Sequence, residues 1–210
     1  MQNLTVLKDN KWIWPADDES SWEGQQSQKD LYMHLLPYVE NKNIMIQAGG
    51  NCGFVLNGFV NHFNTIYTFE PDPVNFYCLN QNISSQNIIK IQGCLGNDPH
   101  PVSIQHLERE GRSHDIGGVH ISGPGLTPVF RIDDLNLPDC NLMQLDIEGY
   151  EFEAILGAIK TIKNFKPVIC VEMCDPWLNR YNSSPEKIES LLEELGYGFT
   201  LTHQMDKIFK

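Results

Sequence analysis

Three stretches of the 210-residue sequence bring together residue types that do chemistry. The first is QAGGNCG, residues 47–53, which follows a short apolar run. Glycines let a backbone approach a ligand closely, and a helix after them offers free N–H groups and a positive dipole end to an anion. The second is Glu70 in TFEPDP, one crossover downstream, where a carboxylate can accept both hydroxyls of a ribose. The third is QLDIEGYEFEAILGA, residues 144–158. Here Asp146 and Glu148 fall at or just past a strand end, while Glu151 and Glu153 read as first-turn acids that favour a helix dipole. Glu172, in VICVEM, ends the next strand. A glycine turn followed by an acidic strand end points to a nucleoside ligand. The dinucleotide fingerprint G-x-G-x-x-G is not met, because Asn51 stands where its second glycine would be, and this disfavours an NAD-dependent oxidoreductase.

These residues need strands that end at one rim. From Asn43 onward, short apolar strands alternate with helical stretches, the pattern of a parallel sheet covered by crossover helices. Strands are expected at 43–48, 65–69, 87–92, 141–145, 167–172, 197–201 and 207–209. Helices are expected at 25–40, 52–63, 73–81, 151–162 and 185–195, with Ser184 as an N-cap and Gly196 as a C-cap. Residues 97–139 break the rhythm with two short extended pieces, 102–106 and 129–132, around a long glycine-rich loop at 111–125, which is expected to act as a lid. Residues 1–42 are read as an aromatic preface with Trp12, Trp14 and Trp22, plus a leading helix, packed on a single domain at 43–210.

Composition narrows the partners. Fifteen Lys+Arg against 27 Asp+Glu give a net charge of −12, a field that repels nucleic acid and anionic lipid. No apolar run reaches the length needed to span a bilayer and no signal-peptide pattern opens the chain, so a cytoplasmic protein is expected. The six cysteines show no C-x-x-C pair and are expected to be reduced and structural. His114 and His120, in the glycine-rich loop, are candidate bases.

In this order, the blocks QAGGNCG, FEPDP, GCLGN, RIDDL, DIEGYE and KPVICVE, over about residues 43–175, resemble the FkbM family of S-adenosylmethionine-dependent methyltransferases. The resemblance implies a Rossmann-like class I methyltransferase fold of the α/β class, a three-layer sandwich with a seven-stranded, mostly parallel sheet and helices on both faces. It also implies methyl transfer to a hydroxyl of a small molecule or glycan, with S-adenosyl-L-methionine as cofactor and no metal. Gln47, Gly49, Gly50, Asn51 and Gly53 would bound the methionine end of the cofactor. Glu70 would hold its ribose, and backbone at Cys94, Leu95 and Gly96 would face its adenine. Asp146 and Glu148 match the D-x-E-G block near the transferring methyl, and Glu172 matches the strand-end glutamate. Asp146 is the expected proton acceptor, with Glu148 and Glu172 in reserve, and Tyr150 and Trp177 are candidate aromatic neighbours of the sulfonium. The family usually has aspartate where Gln47 stands and lysine where Gln144 stands. A neutral Gln47 hydrogen-bonds but does not attract an ammonium as a carboxylate does, and a catalytically degenerate nucleoside-binding or assembly module is the alternative reading.

Overall fold

The structure, a computed structural model, describes residues 4–18, 21–107 and 116–210. Its main sheet has seven strands, numbered here in chain order: β1 (Ile44–Ala48), β2 (Thr65–Phe69), β3 (Ile88–Ile91), β4 (Leu142–Leu145), β5 (Val168–Glu172), β6 (Phe199–His203) and β7 (Asp206–Phe209). Their order across the sheet is β6-β7-β5-β4-β1-β2-β3. The strands β3, β2, β1, β4 and β5 pair in parallel, and only β7 runs antiparallel to β5 and β6. The class I arrangement expected from the sequence is therefore present. Alternation along the strands sends Ile46, Met143 and Ile169 into one core and Met45, Leu142 and Val168 into the other, so the sheet is buried on both faces.

The helix Pro73–Asn82 begins as its sequence dictates. Pro73 takes the first helical position, and the Asp72 carboxylate accepts from Val74 N and Asn75 N. Ser184 caps the helix Pro185–Glu194 in the same way.

Four expectations are corrected. No α-helix spans 52–63; Asn51 and Gly53 adopt positive φ, and only a 3-10 turn at Leu56–Gly58 follows. The helix at 151–162 is two, Glu151–Leu156 and Ile159–Phe165, broken where Gly157 passes so close to Gly96 that an added Cβ would lie 2.3 Å from its carbonyl oxygen. The expected leading helix is instead, among the described residues, Ser21–Ser27, Leu31–Leu35 and a 3-10 turn Leu36–Tyr38, the last α-helical stretch ending where Pro37 cannot donate the next helical bond. The glycine-rich loop is, from Val119 to Pro124, a strand paired antiparallel with Val102–His106. Gly111 and His114 lie outside the described residues.

Thr5–Lys8 and Trp12–Pro15 form a hairpin, tied to the helix Pro73–Asn82 by Asn82, which accepts from Ile13 N and donates to Ile13 O. Trp14 is fully buried, meets Trp22 edge-on at 4.9 Å and donates from Nε1 to Asp18. All six cysteines are free thiols, five of them buried. No described helix is long and apolar enough to cross a membrane.

Candidate active site

The carboxyl ends of β1, β2, β4 and β5 open on one cavity of about 410 Å³, within the range that holds nucleoside-sized ligands. Its floor is the turn after β1. Gly49 N and Gly50 N both donate to Phe69 O, and Asp146 N donates to Ala48 O at 3.2 Å, which clamps the turn between β2 and β4. Gly49, at φ +85°, passes so near β4 that a Cβ there would stand 1.9 Å from the Asp146 carbonyl oxygen. Only glycine permits this approach.

Glu70 is 3% exposed and lies on the cavity wall. Its Oε2 accepts from Asn51 N at 2.6 Å and its Oε1 from Asp72 N at 2.9 Å. Burial pushes its pKa up to about 8 against those bonds. Such a carboxyl is stabilised in its ionised form by further donors or by a cation. Asp72, besides capping its helix, meets His106 Nε2 at 3.1 Å. Burial raises the Asp72 pKa, but the His106 ring and the capped N–H groups outweigh it and hold the carboxyl below its ordinary range.

Across the cavity, one carboxylate oxygen each of Asp146, Glu148 and Glu172 lie within 4.8 Å of one another. Burial raises Asp146, and burial together with the Asp146 charge raises Glu172 further. Two carboxyls so placed share a proton at neutral pH, with Glu172 the more basic. Glu148 and Gly149 both have positive φ. The turn they form is held from below by Glu151, whose Oε1 accepts from Ile147 N at 2.9 Å and Gly149 N at 3.2 Å. Glu151 is therefore not a solvated first-turn acid. It is 1% exposed, with its pKa pushed by burial up to about 7, and it positions the acid pair. Nothing in its sequence context distinguishes it from Glu153.

The expected site residues divide by position. Gly49, Asn51, Glu70, Cys94, Leu95, Asp146, Glu148 and Glu172 line the cavity, as do Tyr150, Trp177 and His120. Gln47, Gly50, Gly53 and Gly96, also expected at the cofactor, are not among the lining residues and stand behind the wall. Gln47 is 1% exposed and donates from Nε2 to Gly49 O at 2.9 Å, while its Oε1 accepts from Thr68 Oγ1; it props the turn from beneath. A Cβ on Gly50 would press Thr68 at 2.7 Å, one on Gly53 would meet Ile83 at 2.6 Å, and one on Gly96 would meet the Tyr150 ring at 2.8 Å. These three glycines serve packing. The expected helix dipole beneath the turn is absent, and Asn51 N is taken by Glu70. One face of Trp177 carries the Arg180 guanidinium, 4.5 Å from the ring centre. Asp133 does not join the acid cluster; it caps the helix Ile159–Phe165 by accepting from Lys160 N and Thr161 N.

The cover of this cavity is drawn from the glycine-rich segment and from the preface. Ile116 O accepts from Asn51 Nδ2 and Asn75 Nδ2 at 3.2 and 3.1 Å, which seats the 116–124 arm over the glycine turn. Tyr181 Oη donates to Ile121 O at 2.8 Å, and Val119, His120 and Ile121 line the cavity from that arm. Ser21, Gly24, Gln25 and Gln28 of the preface complete the wall. Trp12, Trp14 and Trp22 do not reach it, and cluster around Phe54 instead.

Residues 47–199 match the family model of the methyltransferase FkbM domain. Among solved structures, the chain is similar to the methyltransferase FkbM from Methylobacillus flagellatus KT, with 18% identity and a TM-score of 0.53 over 80% of this chain and 43% of that one. It is also similar to precorrin-6y C5,15-methyltransferase from Geobacter metallireducens GS-15, with 13% identity and a TM-score of 0.52 over 98% and 97% of the two chains. A third is magnesium protoporphyrin IX methyltransferase from Synechocystis PCC 6803, solved with bound SAM, with 10% identity and a TM-score of 0.51 over 89% and 77%. At these identities the likeness shows the fold. The chain spans less than half the length of the first of these structures. No curated protein sequence matches it.

Proposed function

Because this chain belongs to the FkbM methyltransferase family, we propose that it methylates a hydroxyl oxygen of a sugar, glycan or small natural product, using S-adenosyl-L-methionine. The observation that carries this reading is that Glu70 and Asp146 open on the same cavity. The residues fit the cofactor. Gly49 presents bare backbone to the cavity, Glu70 offers a buried carboxylate to the ribose diol, and Cys94 and Leu95 line the cavity just past β3. Bound there, the cofactor supplies a methyl group activated by a sulfonium. Gln47 supports this site structurally, so its neutrality does not remove a contact with the ligand.

The chain's own contribution is chiefly position. The turn after β1 and the turn after β4 are locked to each other, and holding reactants in line is worth several kcal/mol of barrier. Asp146 accepts the proton that the acceptor hydroxyl sheds. Its pKa is raised by burial, which brings it nearer the working pH than an ordinary aspartate. Glu172, retaining its proton, keeps the pair singly charged, and Glu148 borders the same space. The test is Asp146→Asn, followed by release of S-adenosylhomocysteine. Turnover is expected to fall by about 10²–10⁴ with cofactor affinity retained; full activity removes Asp146 from the mechanism.

A further inference from the structure

One side of the helix Ser21–Ser27 faces the cavity. Ser21, Gly24, Gln25 and Ser27 of the helix and Gln28 just past its end line the space, and Ser21, Gly24 and Gln25, at spacings of three and four, share one helical face. Trp22, on another side, packs edge-on against Trp14 and Phe54. The helix is strapped at both ends. Ser21 Oγ accepts from Gly117 N at 3.3 Å, and Ser27 O accepts from Gln204 Nε2 at 3.0 Å. Gln204 and Met205 form the β6–β7 turn, and Met205 O accepts from Met173 N, directly after Glu172. The Gly24–Gln28 end therefore lies over β5 and the acid pair. Glu70, Cys94 and Leu95 lie at the other end of the cavity, past β2 and β3. A Cβ at Gly24 would meet nothing within 4 Å, so the helix leaves the cavity mouth open there. Gln28 Oε1 is shielded from solvent and has no hydrogen-bond partner among the described residues.

We propose that this face is the acceptor-binding wall. Gly24 leaves the room the acceptor occupies, and Gln28 accepts a hydrogen bond from an acceptor hydroxyl that does not react. The wall is uncharged and hydrogen-bonding, and it stands across from carboxylates, a pairing that suits a polyhydroxylated ring more than a charged ligand. The assignment rests on the methyltransferase reading above. It adds a specificity determinant outside the matched 47–199 segment.

The test uses the full chain loaded with S-adenosylhomocysteine and a set of methyl pyranosides as probes. Binding is followed by saturation-transfer NMR, and cofactor affinity by calorimetry. Wild type is expected to bind at least one pyranoside. Gly24→Trp should weaken that binding about tenfold or more and leave S-adenosylhomocysteine within about twofold. Gly24→Ala, whose methyl enters open space, should leave both unchanged and so show that the helix tolerates a side chain. Gln28→Leu should weaken the pyranoside about fivefold or more without touching the cofactor. Equal losses of cofactor and pyranoside in Gly24→Trp, unchanged pyranoside binding in both Gly24→Trp and Gln28→Leu, or no pyranoside bound to loaded wild type, each overturns the assignment. Failure of wild type to bind S-adenosylhomocysteine overturns the methyltransferase reading itself.

Discussion

Replacing Glu70 by glutamine separates its two jobs. The carboxyl has an ordinary pKa of 4.5 and is raised by burial to about 8. A group raised on folding contributes stability that is complete below 4.5 and is lost as pH climbs toward 8. At pH 7 that loss is about 3 kcal/mol, at about 1.4 kcal/mol per pH unit. Glutamine has no such cost. Its amide, however, offers one acceptor oxygen where the carboxylate offers two, so either Asn51 N or Asp72 N loses its partner, at about 1–3 kcal/mol. The opposing effects leave stability at pH 7 within about 2 kcal/mol of wild type. Ligand binding does not cancel in this way. Losing one charge-assisted bond to a ribose hydroxyl costs about 1.5–3 kcal/mol, or roughly 10–100-fold in affinity. Hydroxyl donors and a cationic sulfonium both favour ionised Glu70, so wild-type binding releases a proton. Affinity then rises by up to about tenfold per pH unit between pH 6 and 8, and Glu70→Gln lacks this component. Calorimetry in two buffers of different ionisation enthalpy reads affinity and proton release together, and urea melts read stability. Wild-type affinity and proton release in the variant would refute the ribose role.

Other expectations follow from single contacts. Gly49→Ala places a Cβ 1.9 Å from the Asp146 carbonyl at a positive φ, so it should destabilise the protein by more than about 2 kcal/mol and abolish cofactor binding, measured by urea melts and calorimetry; a wild-type melt would mean the turn and β4 are not clamped. Asp206 is 2% exposed, and burial together with the Asp146 charge raises it from 3.8 to about 7. Its stabilising contribution is complete below pH 3.8 and lost as pH rises to 7. Asp206→Asn should therefore gain stability on wild type by up to about 4 kcal/mol between those limits, and parallel stability–pH curves for the two proteins would contradict it. Glu151→Ala strips the Ile147 and Gly149 N–H groups of their acceptor, at about 1–3 kcal/mol each, and should lower turnover more than cofactor affinity; an unchanged rate would exclude a positioning role.

Much of this site is local and so is legible in the chain. Short apolar runs place seven strands, and Glu70, Asp146 and Glu172 each follow or close one of them, because strand polarity sends every parallel strand end to the same rim. Helices were less legible. The segment at 52–63 reads as a helix, but Asn51 and Gly53 take positive φ where Asn51 N bonds to Glu70 and Gly53 packs against Leu79 and Ile83, contacts with residues well along the chain.

Local pattern determined that carboxylates end the strands and that glycines follow β1. Tertiary structure decided which strands are neighbours, and so which carboxylates meet. It set Gln47 and Gln144 opposite each other on β1 and β4, both 1% exposed. The two departures from the family pattern are thus one buried, uncharged row, and not two independent losses. It also decided the proton affinities of Glu70, Asp146 and Glu172. These arise from desolvation by cover drawn from the preface, the 116–124 arm and the β6–β7 turn, and burial by distant chain leaves no mark on the residues next door in sequence.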